Sequence, residues 1–380
     1  SGSTTVAVPE AARAPVLAGL SEVSRRRPLV VAVPLASDAE RLAGDLAEFL
    51  GADAVGLFPA WETLPFERVS PAVETMGRRM EVLWRLRTGD DSLRVVVAPA
   101  RALVQRLGPH VEDTEPVVVA PGDTVDPTVL VEELVAAGYR REYQVEHRGE
   151  VAVRGSIVDV FPATADHPVR IALWGDEVDR LTEVSVSDQL ATDALPETRV
   201  FPARELLVTD EIRARAEALV AAEPWGREQW QRISDGETFD GMEAWLGWLT
   251  DEEHVLYDLI GDDALIVAVE PRRLRDRAMD IRDEEVSLAA SLSRTWGLDE
   301  DAGIPRLHVE VDRLLAHTGA PTWAMTSVAE SPETAAVDAR SWPTAVGDAA
   351  AVTADLRGLL ADSFTIVLCA QGEGAAARLT

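Results

Sequence analysis

Short continuous runs of β-branched residues alternate with helical patterns over residues 28–109. Leu29-Val30-Val31-Ala32-Val33 contains no polar position, the mark of a strand buried on both faces. Behind it, Ser37-Asp38-Ala39-Glu40 has capping-box spacing, and Leu42, Leu46, Phe49 and Leu50 form the apolar stripe of a helix that stops at Gly51. Residues 55–58 and 93–98 predict two more strands, with a helix over 73–86 between them. Repeated units of this kind predict a parallel sheet covered by helices.

Near residue 116 the period changes. A strand is predicted at 117–120, and Asp126-Pro127 supplies an N-cap followed by proline at the first helical position, with Gly138 closing that helix. From 142 to 187 the pattern is antiparallel, with Trp174-Gly175-Asp176-Glu177 as a two-residue hairpin turn. On 169–174, period two sends Val169, Ile171 and Leu173 to the core and Arg170, Ala172 and Trp174 outward, with Arg170 and Trp174 about 13 Å apart at ~3.3 Å per residue. Residues 151–161 read as one strand, bulged at Gly155 and paired with 169–174, which brings Arg154 within cation–π reach of Trp174.

After about residue 205 the parallel pattern resumes. Thr209 caps a helix running to Ala222, 264–269 is a buried strand, long polar helices follow, and 364–369 reads as a last strand. The expected organisation is an α/β parallel-sheet domain over 1–115, a small inserted α+β domain with an antiparallel sheet over 116–203, and a third segment over 204–380 that completes the parallel sheet. Trp225, Trp230, Trp245 and Trp248 read as core.

Composition narrows the function. The formal charge is −30, from 66 acidic against 36 basic residues, which opposes phosphate-backbone binding unless the cations cluster. Arg78, Arg79, Arg85 and Arg87 are the candidate cluster, and their helical spacing reads as a solvated face. The chain has no lysine, so it cannot hold a Gly-x-x-x-x-Gly-Lys-Ser/Thr loop, whose ammonium must reach the β and γ phosphates. No catalytic, cofactor or metal site is expected. The six histidines lack ligand spacing and read as surface or loop residues, and the lone Cys369 reads as a buried thiol suited to a reducing cytoplasm. No apolar run reaches membrane-spanning length, so a cytoplasmic location is expected. The Ala-rich ending at Thr380 suggests a piece of something longer, and Ser1-Gly2-Ser3 suggests a vector scar.

Several motifs occur together: Pro59-Ala60-Trp61-Glu62-Thr63-Leu64-Pro65-Phe66-Glu67-Arg68, Ser70-Pro71, Gly77-Arg78-Arg79, Gly138-Tyr139, Gly149-Glu150, Arg154-Gly155, Asp159-Val160-Phe161-Pro162, Trp174-Gly175-Asp176-Glu177-Val178-Asp179 and Phe201-Pro202-Ala203. Densely from 28 to 210, and thinly beyond, the chain resembles the N-terminal, UvrB-homology region of the bacterial transcription-repair coupling factor family (Mfd). The resemblance implies a UvrB-like, degenerate P-loop NTPase-like fold. Where UvrB-type ATPases carry an Asp-Glu-Ala-His box after the strand equivalent to 265–269, this chain has Glu270-Pro271-Arg272-Arg273. Where they carry the phosphate loop, it has Pro9-Glu10-Ala11-Ala12-Arg13-Ala14-Pro15. The stretch after Trp61 is also short for the DNA-gripping hairpin of UvrB.

The resemblance implies a non-catalytic adaptor that takes UvrA as partner at Arg154, Arg170 and Trp174. RNA polymerase and DNA would be engaged by parts of the parent protein outside this chain, including an ATP-dependent translocase motor. Two readings of the arginines stay open: partner contacts, or ordinary surface charges paired with Asp159, Asp179 or Glu183. Trp174 would then cap its own sheet edge. Rival classes are a DNA-dependent ATPase or helicase and a DNA-binding module.

Overall fold

The computed structural model describes residues 4–296, 304–339 and 349–367. Its strands are β1 Thr4–Ala7, β2 Leu29–Val33, β3 Val55–Leu57, β4 Val95–Pro99, β5 Val117–Val119, β6 Arg140–Arg141, β7 Glu150–Arg154, β8 Ile157–Val160, β9 Val169–Trp174, β10 Glu177–Val184, β11 Ala191–Leu195, β12 Thr198–Val200, β13 Leu265–Val269, β14 Thr322–Thr326 and β15 Ala335–Ala336. Its α-helices are α1 Arg13–Val23, α2 Ala36–Leu50, α3 Val73–Thr88, α4 Ala100–Val104, α5 Pro127–Ala136, α6 Asp210–Ala222, α7 Arg227–Ser234, α8 Leu246–Leu249, α9 Pro271–Trp296, α10 Val311–Leu314 and α11 Ala349–Ala361.

Seven strands form one sheet in the order β15, β1, β14, β13, β2, β4, β3, with every pairing parallel. The continuous apolar runs predict this: β2 and β4 are buried at every position, because helices cover both faces. Val30, Ala32, Val96, Ala98 and Ile266 pack on one side with Met80 and Leu83 of α3 and Ile281 of α9. Leu29, Val31, Val33, Val95, Val97 and Val267 pack on the other with Leu17 of α1 and Leu42 and Leu46 of α2. The chain leaves this sheet after β4 and returns to it at β13, β14 and β15.

The excursion builds a six-stranded sheet, ordered β11, β10, β9, β8, β7, β6, antiparallel except between β6 and β7. Its inner face buries Val151, Val158, Val160, Ile171, Leu173 and Leu181 against Leu130, Val131 and Leu134 of α5. Asp126 caps α5 by accepting from the N–H groups of Thr128 and Val129. A two-stranded ribbon of β12 and β5 closes the excursion.

Close approaches fasten the excursion to α3. A Cβ on Gly77 would fall inside contact distance of the Ala163 Cβ, so only glycine fits there. The buried Tyr139 hydroxyl donates to the Phe201 carbonyl at 2.8 Å and accepts from the Ala163 N–H at 3.0 Å. Behind α3, Arg79 is wholly buried; it donates twice to Glu205 (2.6 and 2.9 Å) and to the Pro59 carbonyl, and stacks on Phe58 at 4.1 Å. Trp61 donates its indole N–H to the same Glu205 carboxylate.

Several expectations are corrected. Helix α2 begins at Ala36, after an N-cap Leu35 without a side-chain bond, so the Ser37 capping box does not form, and Phe49 faces solvent. Residues 151–161 are two strands, not one: Gly155, at φ +64°, turns β7 into β8, because Arg154-Gly155-Ser156-Ile157 is itself a two-residue hairpin. The solvated-face reading of the α3 arginines fails for Arg79 and for Arg85, which is buried against Asp90, Ser92 and the Asp53 carbonyl. His308 is buried beside Glu285, with Nδ1 3.1 Å from Oε2, rather than on the surface. The four tryptophans do pack together, but across several short helices, with Trp230, Trp245 and Trp248 buried.

Residues 339–380 form a second compact unit, in which the described helix is α11. Phe364 bonds back to the Leu359 carbonyl, and residues 364–367 form no strand, which corrects the predicted last strand as far as it is described. Cys369 and Ser1-Gly2-Ser3 lie outside the described residues.

Candidate functional site

The outward face of the six-stranded sheet collects the residues singled out by sequence. Register places Arg154 opposite Ile157, Ile157 opposite Ala172, and Ala172 opposite Arg180. The next outward row runs Ala152, Asp159, Arg170, Thr182. Arg154 and Arg170 therefore approach Asp159 from two different strands.

Asp159 is 2% exposed. Arg170 Nε and Nη2 donate to its Oδ1 and Oδ2 at 2.7 and 2.9 Å, and Arg154 Nη2 donates to Oδ2 at 2.6 Å. Arg170 Nη1 reaches the Gln189 carbonyl at 3.3 Å, and Gln189 in turn donates to the Val145 carbonyl. The Asp159 hydrogen bond raises the Arg170 guanidinium above its ordinary pKa, with burial opposing it. Two cations share one anion, so this trio keeps a formal charge of about +1 on a chain that is strongly acidic.

Trp174 ends β9 and is 83% exposed. Its hairpin is braced from behind: Val125 donates to the Asp176 carbonyl, Gly122 to the Val178 carbonyl, and Thr124 bridges to Glu177. A large ring is thus held in solvent by a fixed backbone, and it makes no ring or cation–π contact among the described residues. The expected contact with Arg154 is not formed. Two inter-strand steps separate Arg154 from β9, and Asp159 claims its guanidinium. The face does carry all three sequence-predicted residues, Arg154, Arg170 and Trp174, while the Asp159 pairing weighed for the arginines is also present.

Sequence reasoning underused Asp159 and passed over Arg180. Asp159 sits between Val158 and Val160, an outward charge in an inward–outward alternation, and a correct hairpin at Gly155 sets it beside Arg170. Arg180 is exposed in the same row as Ala172 and has no charged partner among the described residues.

A second region lies at the carboxyl ends of β1, β13 and β14. Arg13, at the start of α1, forms an ion pair with Glu270 and donates to Ser327 Oγ at 2.8 Å. Ser327 N–H donates to the same Glu270 oxygen at 2.9 Å. Burial opposes ionisation of Glu270, but the Ser327 hydrogen bonds and the Arg13 charge hold its carboxyl below the usual range. The cleft over this pair has a volume of about 20 Å³, room for about one water. The remaining arginines of the α3 cluster are paired too, Arg78 with Glu74 and Arg87 with Glu115.

Residues 117–206, the antiparallel sheet with its outward arginines and tryptophan, match the family model of the UvrB interaction domain. Fold and site together define a module in which a UvrB interaction domain is carried on a parallel α/β sheet. The transcription-repair-coupling factors of Mycobacterium tuberculosis and Mycobacterium bovis are each 35% identical to it over 409 residues, an alignment covering 99% of this chain and 32% of the relative. That of Escherichia coli is 29% identical over 243 residues, covering 60% of this chain and 20% of the relative. The chain belongs to the transcription-repair-coupling factor family and corresponds to its N-terminal UvrB-homology region. It spans about a third of the length of the mycobacterial relatives.

Proposed function

We infer that this chain is a non-catalytic UvrB mimic that recruits UvrA for transcription-coupled nucleotide excision repair at a stalled RNA polymerase. One observation carries the reading. On a domain that matches the UvrB interaction model, two arginines held by a buried carboxylate and a solvent-exposed tryptophan share one outward face. Arginine and tryptophan are over-represented among the residues that dominate binding energy. The excursion at 116–203 is the UvrA-binding domain, and 1–115 with 204–338 is its UvrB-like, degenerate NTPase-like carrier.

The nucleotide reading is disfavoured by the Arg13–Glu270 pair, which occupies the strand ends where a phosphate loop and a magnesium carboxylate would have to face each other. Engagement of RNA polymerase and DNA, and the ATP-driven translocation, belong on this reading to parts of the longer protein outside this chain. On this reading the location is cytoplasmic; among the described residues no helix is long and apolar enough to cross a membrane.

Calorimetric titration of the chain with purified UvrA tests the proposal, beside an Arg154→Ala/Trp174→Ala variant and a parallel titration with ATP and magnesium. Binding that the variant loses, with no heat from ATP, is the expected result. Wild-type binding by the variant, or saturable ATP binding, would overturn it.

A further inference from the structure

The arginines of the docking face are not free side chains. Asp159 lies on the central strand of the three that carry the trio, directly across from Arg170 on β9 and diagonal to Arg154 at the end of β7. Arg170 spends Nε and one N–H of Nη2 on Asp159 and one N–H of Nη1 on Gln189, leaving two of five donors. Arg154 spends one donor, and its side chain is 36% exposed against 18% for Arg170. The unspent N–H edges of both guanidiniums remain for a partner.

A buried carboxylate between two cations does little for stability that apolar side chains would not do as well. The inner face of this sheet already supplies a complete core, and the outward positions beside Asp159 include Ile157 and Ala172, which show that apolar residues are accommodated here. A fixed carboxylate does have one effect an apolar residue lacks. It freezes two long side chains in one geometry before a partner arrives, so their rotamer freedom is lost on folding rather than on binding.

We propose that Asp159 is the positioning residue of the docking face, holding Arg154 and Arg170 in a preformed fork whose outer edges take carboxylates from an acidic partner surface. This rests on the docking reading above and names the chemistry of the patch on UvrA that fits it. Arg180, exposed in the row of Ala172 and without a charged partner among the described residues, extends the same positive field toward Trp174. Steering and grip then separate. The net positive charge of the face sets the association rate and its salt dependence, whereas the order imposed by Asp159 sets the dissociation rate.

The test is stopped-flow and surface-plasmon kinetics of the whole 380-residue chain with purified UvrA, at low and high salt, for wild type, Asp159→Asn, Arg154→Ala and the double variant. Asp159→Asn removes a negative charge and leaves the shape. Its dissociation is expected to quicken about tenfold, while association at low salt is unchanged or faster and falls more steeply with salt. A role confined to folding would not produce that opposite movement. Because Asp159 acts through the arginines, the double variant is expected to dissociate far more slowly than the product of the two single effects requires.

Wild-type dissociation by a folded Asp159→Asn, additive single effects, or association insensitive to salt would each overturn the proposal. Should Asp159→Asn fail to fold by circular dichroism, Asp159→Glu decides. It keeps the charge but displaces the fork by one methylene, so faster dissociation is expected and wild-type dissociation refutes. If Arg154→Ala and Trp174→Ala bind like wild type, the docking reading itself falls. If they weaken binding and both Asp159 variants do not, only the positioning role falls.

Discussion

Asp159 and Arg170 face each other across β8 and β9 and are joined by two parallel hydrogen bonds, 2.7 and 2.9 Å long, in the bidentate fork geometry of an arginine–carboxylate pair. The pair makes the two arginines of the face unequal. Arg170→Ala strips a nearly buried carboxylate of two bonds and is expected to lower stability by about 1–3 kcal/mol. Arg154→Ala removes one half-exposed bond and is expected to cost about 0–1 kcal/mol. Urea denaturation of the two variants checks the order; equal losses would show that the fork is not formed.

The buried pair of Arg79 and Glu205 is where the parallel-sheet carrier is most sensitive. Both side chains are out of solvent, and Trp61 and the Pro59 carbonyl complete their hydrogen bonds. Removing one partner leaves an uncompensated charge, so Arg79→Ala or Glu205→Ala is expected to destabilise by about 3–5 kcal/mol. Arg79→Lys is expected to restore only part of that, since an ammonium cannot span both Glu205 oxygens and stack on Phe58. Guanidinium denaturation midpoints measure this; a lysine variant as stable as wild type would contradict it.

Gly77 sets the seat of the inserted domain. Alanine there collides with Ala163 and is expected to cost about 1–3 kcal/mol by overpacking. Adding Ala163→Gly opens the space again, and the double variant is expected to recover most of the loss. Additive destabilisation, read by thermal melts, would mean that the contact is not the cause.

His254 gives the fold a pH dependence with a definite sign. Its Nε2 lies 3.1 Å from Glu112 and its Nδ1 3.4 Å from Asp258, and the Glu112 hydrogen bond raises its pKa, with burial opposing. A raised folded pKa means that this contribution is fully present below the unfolded value of about 6.5 and is lost as pH rises through the higher folded value. Stability measured against pH is expected to fall across that window in the wild type and to flatten there in His254→Gln. An unchanged slope in the variant would assign the effect elsewhere.

The antiparallel hairpin at Trp174 was legible because period two and a Gly-Asp turn both act within a few residues, and Trp174 is indeed outward and exposed. Residues 151–161 read as one strand because Gly155 fits either a bulge or a turn locally, and only pairing with β9 selects the turn. The same limit hid Arg79, which is next in sequence to the exposed Arg78. Burial depends on Glu205, 126 residues away, arriving from the far side of the insertion.

The continuous apolar strands, the Asp126 and Thr209 caps, the outward set of Arg170, Ala172 and Trp174, and the missing lysine are all written locally, because each follows from periodicity or composition. Tertiary structure alone decided that Arg154 and Arg170 share Asp159, that Arg13 meets Glu270 where strand ends converge, and that Arg79 is interior. Those pairings join segments far apart in the chain, and partner choice between distant charges is set by strand register and sheet order, which no local pattern encodes.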